Sequence, residues 1–240
     1  MDIIAHRGAT ETALENSLEA FTEAVDLGAK FIELDVRLSS DDKVFIMHDN
    51  SLSRTTDSHR KISELTAVEL QYVKLSNGEN VPSLKTVLDQ YLDKIGLNIE
   101  LKQDSKILCQ QTADLVSTNR SCKNVIISSF YTSNLDFLST YAPDLQLALL
   151  WGEDNSKHID PEEYLRKNPG LFFHPQCDLL NKELVSKVKQ FEGKIYPWVP
   201  SSFTEEDETK TWIQMKNLAV DGLCTNFPKS LCQWLKSNSC

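Results

Sequence analysis

The sequence predicts an α/β protein of the TIM (β/α)8 type, one domain over residues 1–240 with a small insertion at about 41–83 after the second strand. Short apolar runs alternate with amphipathic stretches along the whole chain. Counting them gives eight strands, beginning near residues 3, 31, 97, 125, 145, 171, 195 and 222. Eight βα units in 240 residues fit such a barrel in count and in size. Four of the eight glycines, Gly28, Gly96, Gly170 and Gly193, stand between a helical pattern and the next strand, where helix-to-strand turns favour a residue without a Cβ. A doubly wound open sheet is the alternative, but its glycine-rich phosphate turn after the first strand is absent.

Each element follows from its own pattern. Residues 3–6 form a short first strand. NSLEAFTEAVDL at 16–27 has apolar residues at helical spacing and stops at Gly28. In 31–36 the alternation is strict, with Phe31, Glu33 and Asp35 on one face and Ile32, Leu34 and Val36 on the other. Ser39-Ser40-Asp41-Asp42 is a cluster of turn formers. Residues 44–47 are therefore expected to return as a hairpin ending in His48-Asp49. Helix 84–92 leads to strand 97–102, helix 107–117 to strand 125–128, and helix 134–141, stopped by Pro143, to strand 145–151. A short helix at 161–167, a strand at 171–174 and a helix at 183–191 follow. Strand 195–199, helix 205–219 and a last strand at 222–225 before Pro228 complete the pattern. The acidic run 204–208 reads as capping and dipole chemistry behind Ser202 or Thr204 rather than as a calcium or protein patch.

A formal charge of −10 argues against nucleic acid or an anionic membrane surface as a general partner. No apolar run has the length of a membrane span, and MDIIAHRG lacks the basic and apolar regions of a signal peptide. The six cysteines (Cys109, Cys122, Cys177, Cys224, Cys232 and Cys240) form no CxxC pair. They read as free thiols in a reducing cytoplasm. Nothing in the sequence specifies an oligomeric state.

Working residues of such a barrel sit at the C-terminal ends of its strands. Those ends carry His6-Arg7-Gly8, Glu33 with Asp35, Glu100 with Lys102, Ser129-Phe130, His174 and Tyr196-Pro197-Trp198. Three carboxylates (Glu33, Asp35 and Glu100) suit one hard divalent cation, Mg²⁺ or Ca²⁺, rather than zinc. Arg7 and Lys102 beside a cation can clamp an anionic substrate, and His6 and His48 can pass protons near neutrality. Together they point to phosphoryl-ester cleavage. The competing reading of a single pair is an internal ion pair, and of the whole set a structural network at the barrel mouth.

HRG at 6–8, Glu15-Asn16-Ser17, IELDV at 32–36, HD at 48–49, RTTD at 54–57, ELK at 100–102, SF at 129–130, YPW at 196–198 and DGLCTNFP at 221–228 resemble the glycerophosphodiester phosphodiesterases, in the right order over nearly the whole chain. The resemblance implies metal ligation by Glu33, Asp35 and Glu100 and general acid/base roles for His6 and His48. It implies phosphate contacts from Arg7 and Lys102, and an aromatic wall from Trp198 on the glycerol side. The implied reaction releases glycerol 3-phosphate and an alcohol, by a cyclic phosphate or by direct water attack, with the two histidine roles unassigned. The chain departs from the family pattern at Leu14, where a proline is usual, at Val199-Pro200-Ser201, where an Asn usually follows the Trp, and at Asn226, where Asp is commoner; Asn226 reads as structural. His174 matches no family role and is a weak pocket candidate. The alternatives are a lysophospholipase D-type enzyme and a catalytically silent binding barrel. The first needs an apolar rim, for which 58–83 offers only Leu65, Leu70 and Tyr72.

Overall fold

Seven parallel strands and one irregular segment close into a TIM-type barrel in the computed structural model, which describes residues 1–119 and 122–238. β1 (Asp2–Ala5) pairs with β2 (Phe31–Leu38). The hairpin is present as expected: β3 (Val44–Ile46) runs antiparallel on the end of β2, with Val36 opposite Ile46. From β2 the parallel sheet continues through β4 (Gly96–Leu101), β5 (Val125–Ser129), β6 (Gln146–Trp151) and β7 (Phe172–Pro175). β8 (Gly222–Thr225) lies on the other side of β1, with Ile4 opposite Cys224.

Residues 195–199 were expected to be a regular strand, and they are not. Pro197 and Pro200 have no N–H to give to a ladder. The segment still bridges β7 to β8, because Tyr196 and Trp198 donate to the carbonyls of Phe173 and Pro175 (2.8 and 2.9 Å) and Cys224 donates to that of Pro197 (2.8 Å). The barrel is therefore closed by single bridges at this seam.

The helices start where their caps say they should. Ser17 caps α1 (Leu18–Asp26) by accepting from the Ala20 N–H. α2 (Ala67–Leu70) and α3 (Leu84–Tyr91) begin behind Thr66 and Ser83, α4 (Lys106–Ser117) behind Ser105, and α5 (Thr132–Tyr141) follows β5. Asp160 caps α6 (Pro161–Lys167) and Asn181 caps α7 (Lys182–Val188). At α8 (Glu205–Asn217), Thr204 and Asp207 form a reciprocal capping box, as the acidic run suggested for that end. A final helix, α9 (Pro228–Ser237), was not expected; Pro228 sits in its first turn and Leu231 is buried against the barrel. Gly28 and Gly170 take the positive φ of a helix stop (76° and 83°). Gly96 and Gly193 instead stand where a Cβ would strike the Phe31 ring and the Leu171 carbonyl.

Most buried side chains lie between the barrel and its helices. Inside the barrel, Ile4, Phe31, Ile126, Ala148, Tyr196 and Cys224 form a separate apolar plug. The segment between β2 and α3 has a small core of its own, built from Phe45, Met47, Leu52, Ile62, Leu65, Leu70, Val73, Leu75 and Val81, against which Leu14 packs. Leu65 and Leu70 are thus buried and offer no apolar rim; only Tyr72 of the three stays exposed. Cys109, Cys177, Cys224 and Cys232 are free thiols, while the Cys122 side chain and Cys240 lie outside the described residues. Among the described residues no helix is long and apolar enough to cross a membrane.

Candidate active site

The chain leaves β1 through a left-handed turn, Arg7 at φ 56° and Gly8 at φ 93°. A Cβ on Gly8 would fall 2.6 Å from the Ala20 Cβ and 2.8 Å from its backbone carbon. Only glycine lets this loop lie so close on α1, where the Ala9 N–H donates to the Ala20 carbonyl (2.9 Å). The turn aims Arg7 inward. Its backbone N–H donates to Glu33 Oε2 at 2.9 Å, Nε lies 3.3 Å from Asp35 Oδ2, and Nη1 is 3.1 Å from Glu15 Oε1. Glu15 in turn takes both amino groups of Arg54 (2.7 and 2.8 Å).

Glu33, Asp35 and Glu100 meet at the mouth because β2 and β4 are parallel and in register, with Asp35 opposite Glu100. All three are buried, and each offers an oxygen within 4.8 Å of the others. Asn16 Nδ2 and Lys102 Nζ approach Asp35 at 2.8 and 3.5 Å, and Lys102 Nζ donates to Glu100 Oε1 at 2.6 Å. Although burial opposes it, the charges of Lys102 and Arg7 hold Asp35 well below the usual carboxylate range. Glu33 is pushed well up by burial and by repulsion from Asp35 and Glu100, and Glu100 is pushed up by burial despite Lys102. Glu33 Oε1 and Asp35 Oδ1 make no hydrogen bond within the protein. Three packed carboxylates with two orphaned oxygens are a donor set fitted to one hard divalent cation.

The two histidines reach the mouth from different bodies. His6, at the end of β1, holds Nδ1 2.6 Å from Asn226 Oδ1 and Nε2 3.8 Å from Glu33 Oε2. The Asn226 amide is oriented unambiguously, because Nδ2 donates to Glu208 Oε1 (2.6 Å) and to the Pro200 carbonyl (3.2 Å). Its Oδ1 can only accept, so His6 carries its proton on Nδ1 and presents the Nε2 lone pair to the acids. Burial, helped by Arg7, lowers His6 to about 4. His48 arrives on the hairpin, held by Arg37 Nε donating to its carbonyl (2.8 Å). Its Nδ1 lies 2.6 Å from Asp49 Oδ1. Against the opposing effect of burial, hydrogen bonds from Arg54 and His48 hold Asp49 down at about 2.

A cavity of about 310 Å³ runs from this mouth into the barrel, lined by His6, Arg7, Glu33, His48, Glu100, Lys102 and Trp198. The structure thus brings together seven of the eight residues picked from the sequence, and the eighth, Asp35, lies directly behind them in contact with Arg7 and Lys102. Phe130 packs edge-on against Trp198 with centroids 5.8 Å apart. His174 lines the same cavity.

Two expectations need correction. Asn226, read as structural, is the partner of His6. Glu208, read with the rest of its run as capping, is fully buried and anchors Asn226; it also accepts from the Thr225 hydroxyl, the Asn226 N–H and Trp212 Nε1. Glu208, Trp212 and Met215 fall at i, i+4 and i+7, one buried face of α8. That spacing is the signal that separates Glu208 from its solvated neighbours. Asn98 and Ser128, which also line the cavity, carried only the strand alternation as a signal.

An acid cluster, two imidazoles and two cations at the mouth of an (α/β)8 barrel define a hydrolase of phosphoric diesters. The description of the glycerophosphoryl diester phosphodiesterase family matches residues 6–230, and the chain belongs to that family. It is 30% identical to a glycerophosphodiester phosphodiesterase of Caldanaerobacter subterraneus subsp. tengcongensis, over 95% of both chains. It is 25% identical to a lysophospholipase D of Homo sapiens, covering 98% of this chain and 86% of that protein. Among solved structures it resembles an Oleispira antarctica phosphodiesterase in complex with the product sn-glycerol-3-phosphate. The TM-score is 0.83 at 25% identity, over 98% of this chain and 97% of that one.

Proposed function

We propose that the protein hydrolyses glycerophosphodiesters to glycerol 3-phosphate and an alcohol, using one divalent cation, Mg²⁺ or Ca²⁺, held by Glu33, Asp35 and Glu100. The reading treats residues 1–240 as one catalytic unit with 41–83 as its insertion. The observation that carries it is the convergence of three buried carboxylates, two of them with orphaned oxygens, on the cavity that His6 and His48 share. When bound, the cation supplies Lewis-acid charge that lowers the pKa of a hydroxyl and offsets the charge of the phosphate.

The remaining steps belong to the chain. Arg7 and Lys102 bind the phosphate oxygens, Arg7 with a planar fork suited to two of them. The unprotonated Nε2 of His6 takes the proton of the attacking hydroxyl, and His48 gives one to the departing alcohol oxygen; attack by water yields glycerol 3-phosphate directly, whereas attack by the neighbouring glycerol hydroxyl yields a cyclic phosphate that water then opens. The Asn226 amide behind His6, which leaves the Nε2 lone pair facing the acids, favours that division of labour. Trp198 walls the glycerol side. The substrate is a small molecule, supported by the product seen in the Oleispira antarctica relative. The free thiols fit a cytoplasmic location.

The test is release of glycerol 3-phosphate from glycerophosphocholine and glycerophosphoethanolamine after EDTA treatment, with Mg²⁺, Ca²⁺ or Mn²⁺ restored separately. Activity lost with EDTA and regained with a hard cation is the expected result. Turnover of lysophosphatidylcholine alone would move the assignment to a lysophospholipase D. No turnover of any diester under any metal would leave the barrel a binding protein.

A further inference from the structure

Arg54, the first residue of RTTD, has no part in the reaction proposed above, yet all three nitrogens of its guanidinium are engaged. Nε donates to Asp49 Oδ2 at 2.5 Å, Nη1 to Glu15 Oε2 at 2.7 Å and Nη2 to Glu15 Oε1 at 2.8 Å. The turn that carries it is held independently of these contacts. The Thr56 N–H and hydroxyl both donate to the Leu52 carbonyl (3.1 and 2.8 Å), the Ser76 N–H donates to that of Thr55 (2.9 Å), and Thr55 is buried. Glu15 comes from the loop between β1 and α1, where it also meets Arg7 Nη1 at 3.1 Å.

The consequence falls on His48. Asp49 Oδ1 lies 2.6 Å from His48 Nδ1, and Arg54 holds the other oxygen of the same carboxylate. Among the described residues that carboxylate has no third partner. A carboxylate that stays ionised can only accept, so His48 carries a proton on Nδ1 and leaves Nε2 to the cavity that it lines. Without Arg54, Asp49 would be held only by the imidazole that it orients. Lysine is no substitute, because a single ammonium cannot spread a planar fork over three oxygens. The Arg54 side chain is 46% exposed, and ion pairs so open to solvent add little to stability. We propose that Arg54, seated on Glu15, is a positioning residue that acts through Asp49 to fix the tautomer and the angle of the His48 imidazole. In the hydrolytic reading, on which this assignment rests, His48 Nε2 then passes its proton to the alcohol oxygen as the P–O bond to that oxygen breaks.

The test compares glycerophosphocholine with the 4-nitrophenyl ester of glycerol 3-phosphate, whose 4-nitrophenolate leaves as an anion and needs no proton. For Arg54→Gln, kcat on glycerophosphocholine should fall by about 10- to 100-fold, while the nitrophenyl ester loses less than about threefold. Arg54→Lys should behave like Arg54→Gln. Arg54→Ala opens a notch between Asp49 and Glu15, and added guanidinium chloride should restore part of the lost rate where urea does not. His48→Ala should gain nothing from guanidinium. Residues that act as a unit are not additive, so Arg54→Gln should cost nothing further once His48→Ala is in place. A full additional loss in that background overturns the proposal, as does an Arg54→Gln enzyme that turns over glycerophosphocholine at the wild-type rate. If the pair is non-additive yet both esters slow equally, Arg54 still positions His48, and the reading of His48 as the proton donor falls.

Nitrogen-15 NMR of the imidazoles decides the matter without turnover, His48→Ala identifying the signal. On the neutral ring, wild type should show His48 with its proton on Nδ1, and Arg54→Gln should shift the population towards Nε2–H. If no diester is hydrolysed and the tautomer still depends on Arg54, the positioning role stands and the hydrolytic reading falls. A tautomer indifferent to Arg54 overturns the proposal.

Discussion

His6 and His48 illustrate how much of the chemistry a single residue's neighbours decide. Each is expected to be indispensable for proton transfer. His6→Ala and His48→Ala should lower kcat by about 10²- to 10⁴-fold with thermal melting close to wild type, and near-normal turnover in both would end the acid/base assignment. Asn226 acts one step back. Asn226→Ala removes the acceptor that fixes the tautomer and angle of His6, and should cut kcat by about 10- to 100-fold with little change in KM. His174 carries a pH signature for stability. Its folded pKa, about 3, lies below its ordinary 6.5. Between those values the unfolded chain binds a proton that the native one does not. Its contribution is full above pH 6.5 and is lost as pH falls towards 3. Denaturant titrations should show His174→Leu flattening that acid limb by up to about 1.4 kcal/mol per pH unit. The convergence of the three carboxylates, the histidines and the cations was legible in the sequence because strand alternation and motif order put them at one end of the barrel. Asn226 and Glu208 were not, because their significance lies in a contact between residues 6, 226 and 208 that only the closed barrel creates.

At the level of elements, the loop after β1 is the most constrained piece of the site. Gly8→Ala would force a Cβ into the backbone of α1 at positive φ. It should cost about 1–3 kcal/mol of stability and reduce activity as well, because Arg7 and His6 ride on the same turn. Paired denaturation and kinetic measurements check this; a variant as stable as wild type would show that the loop can relax away from Ala20. The seam at 195–199 shows where sequence pattern reaches its limit. IYPWV alternates like a strand, and the hydrogen bonds that would make it one are removed by its own proline. The strands and most helices were readable from alternation and caps, whereas α9 lies beyond Pro228, where the apolar residues Leu231, Trp234 and Leu235 were available as a helical signal.

Taken as a whole, the molecule concentrates unfavourable charge at one end of a closed barrel. Three buried acids share Arg7 and Lys102 between them. Ligand linkage then makes the proposed cation a predicted stabiliser of the fold: at 100 times its Kd it should add about 2.7 kcal/mol. For a chain of this size that is an increase in Tm of about 5–11 °C, read by calorimetry with and without Ca²⁺. Glu100→Gln should remove most of that increment; an undiminished increment would place the cation elsewhere.

The segment between β2 and α3 has a different kind of consequence. It carries its own small core and delivers His48, Asp49 and Arg54, while the barrel proper delivers His6, Arg7 and the acids. The two histidines proposed as proton acceptor and proton donor therefore sit on two modules, joined by the β2–β3 hairpin and by Glu15, which clasps Arg7 and Arg54 at once. Such a cassette is a natural unit of exchange. Grafted from one barrel to another, it would carry His48, Asp49 and Arg54 across together while His6, Arg7 and the acids stay as they were.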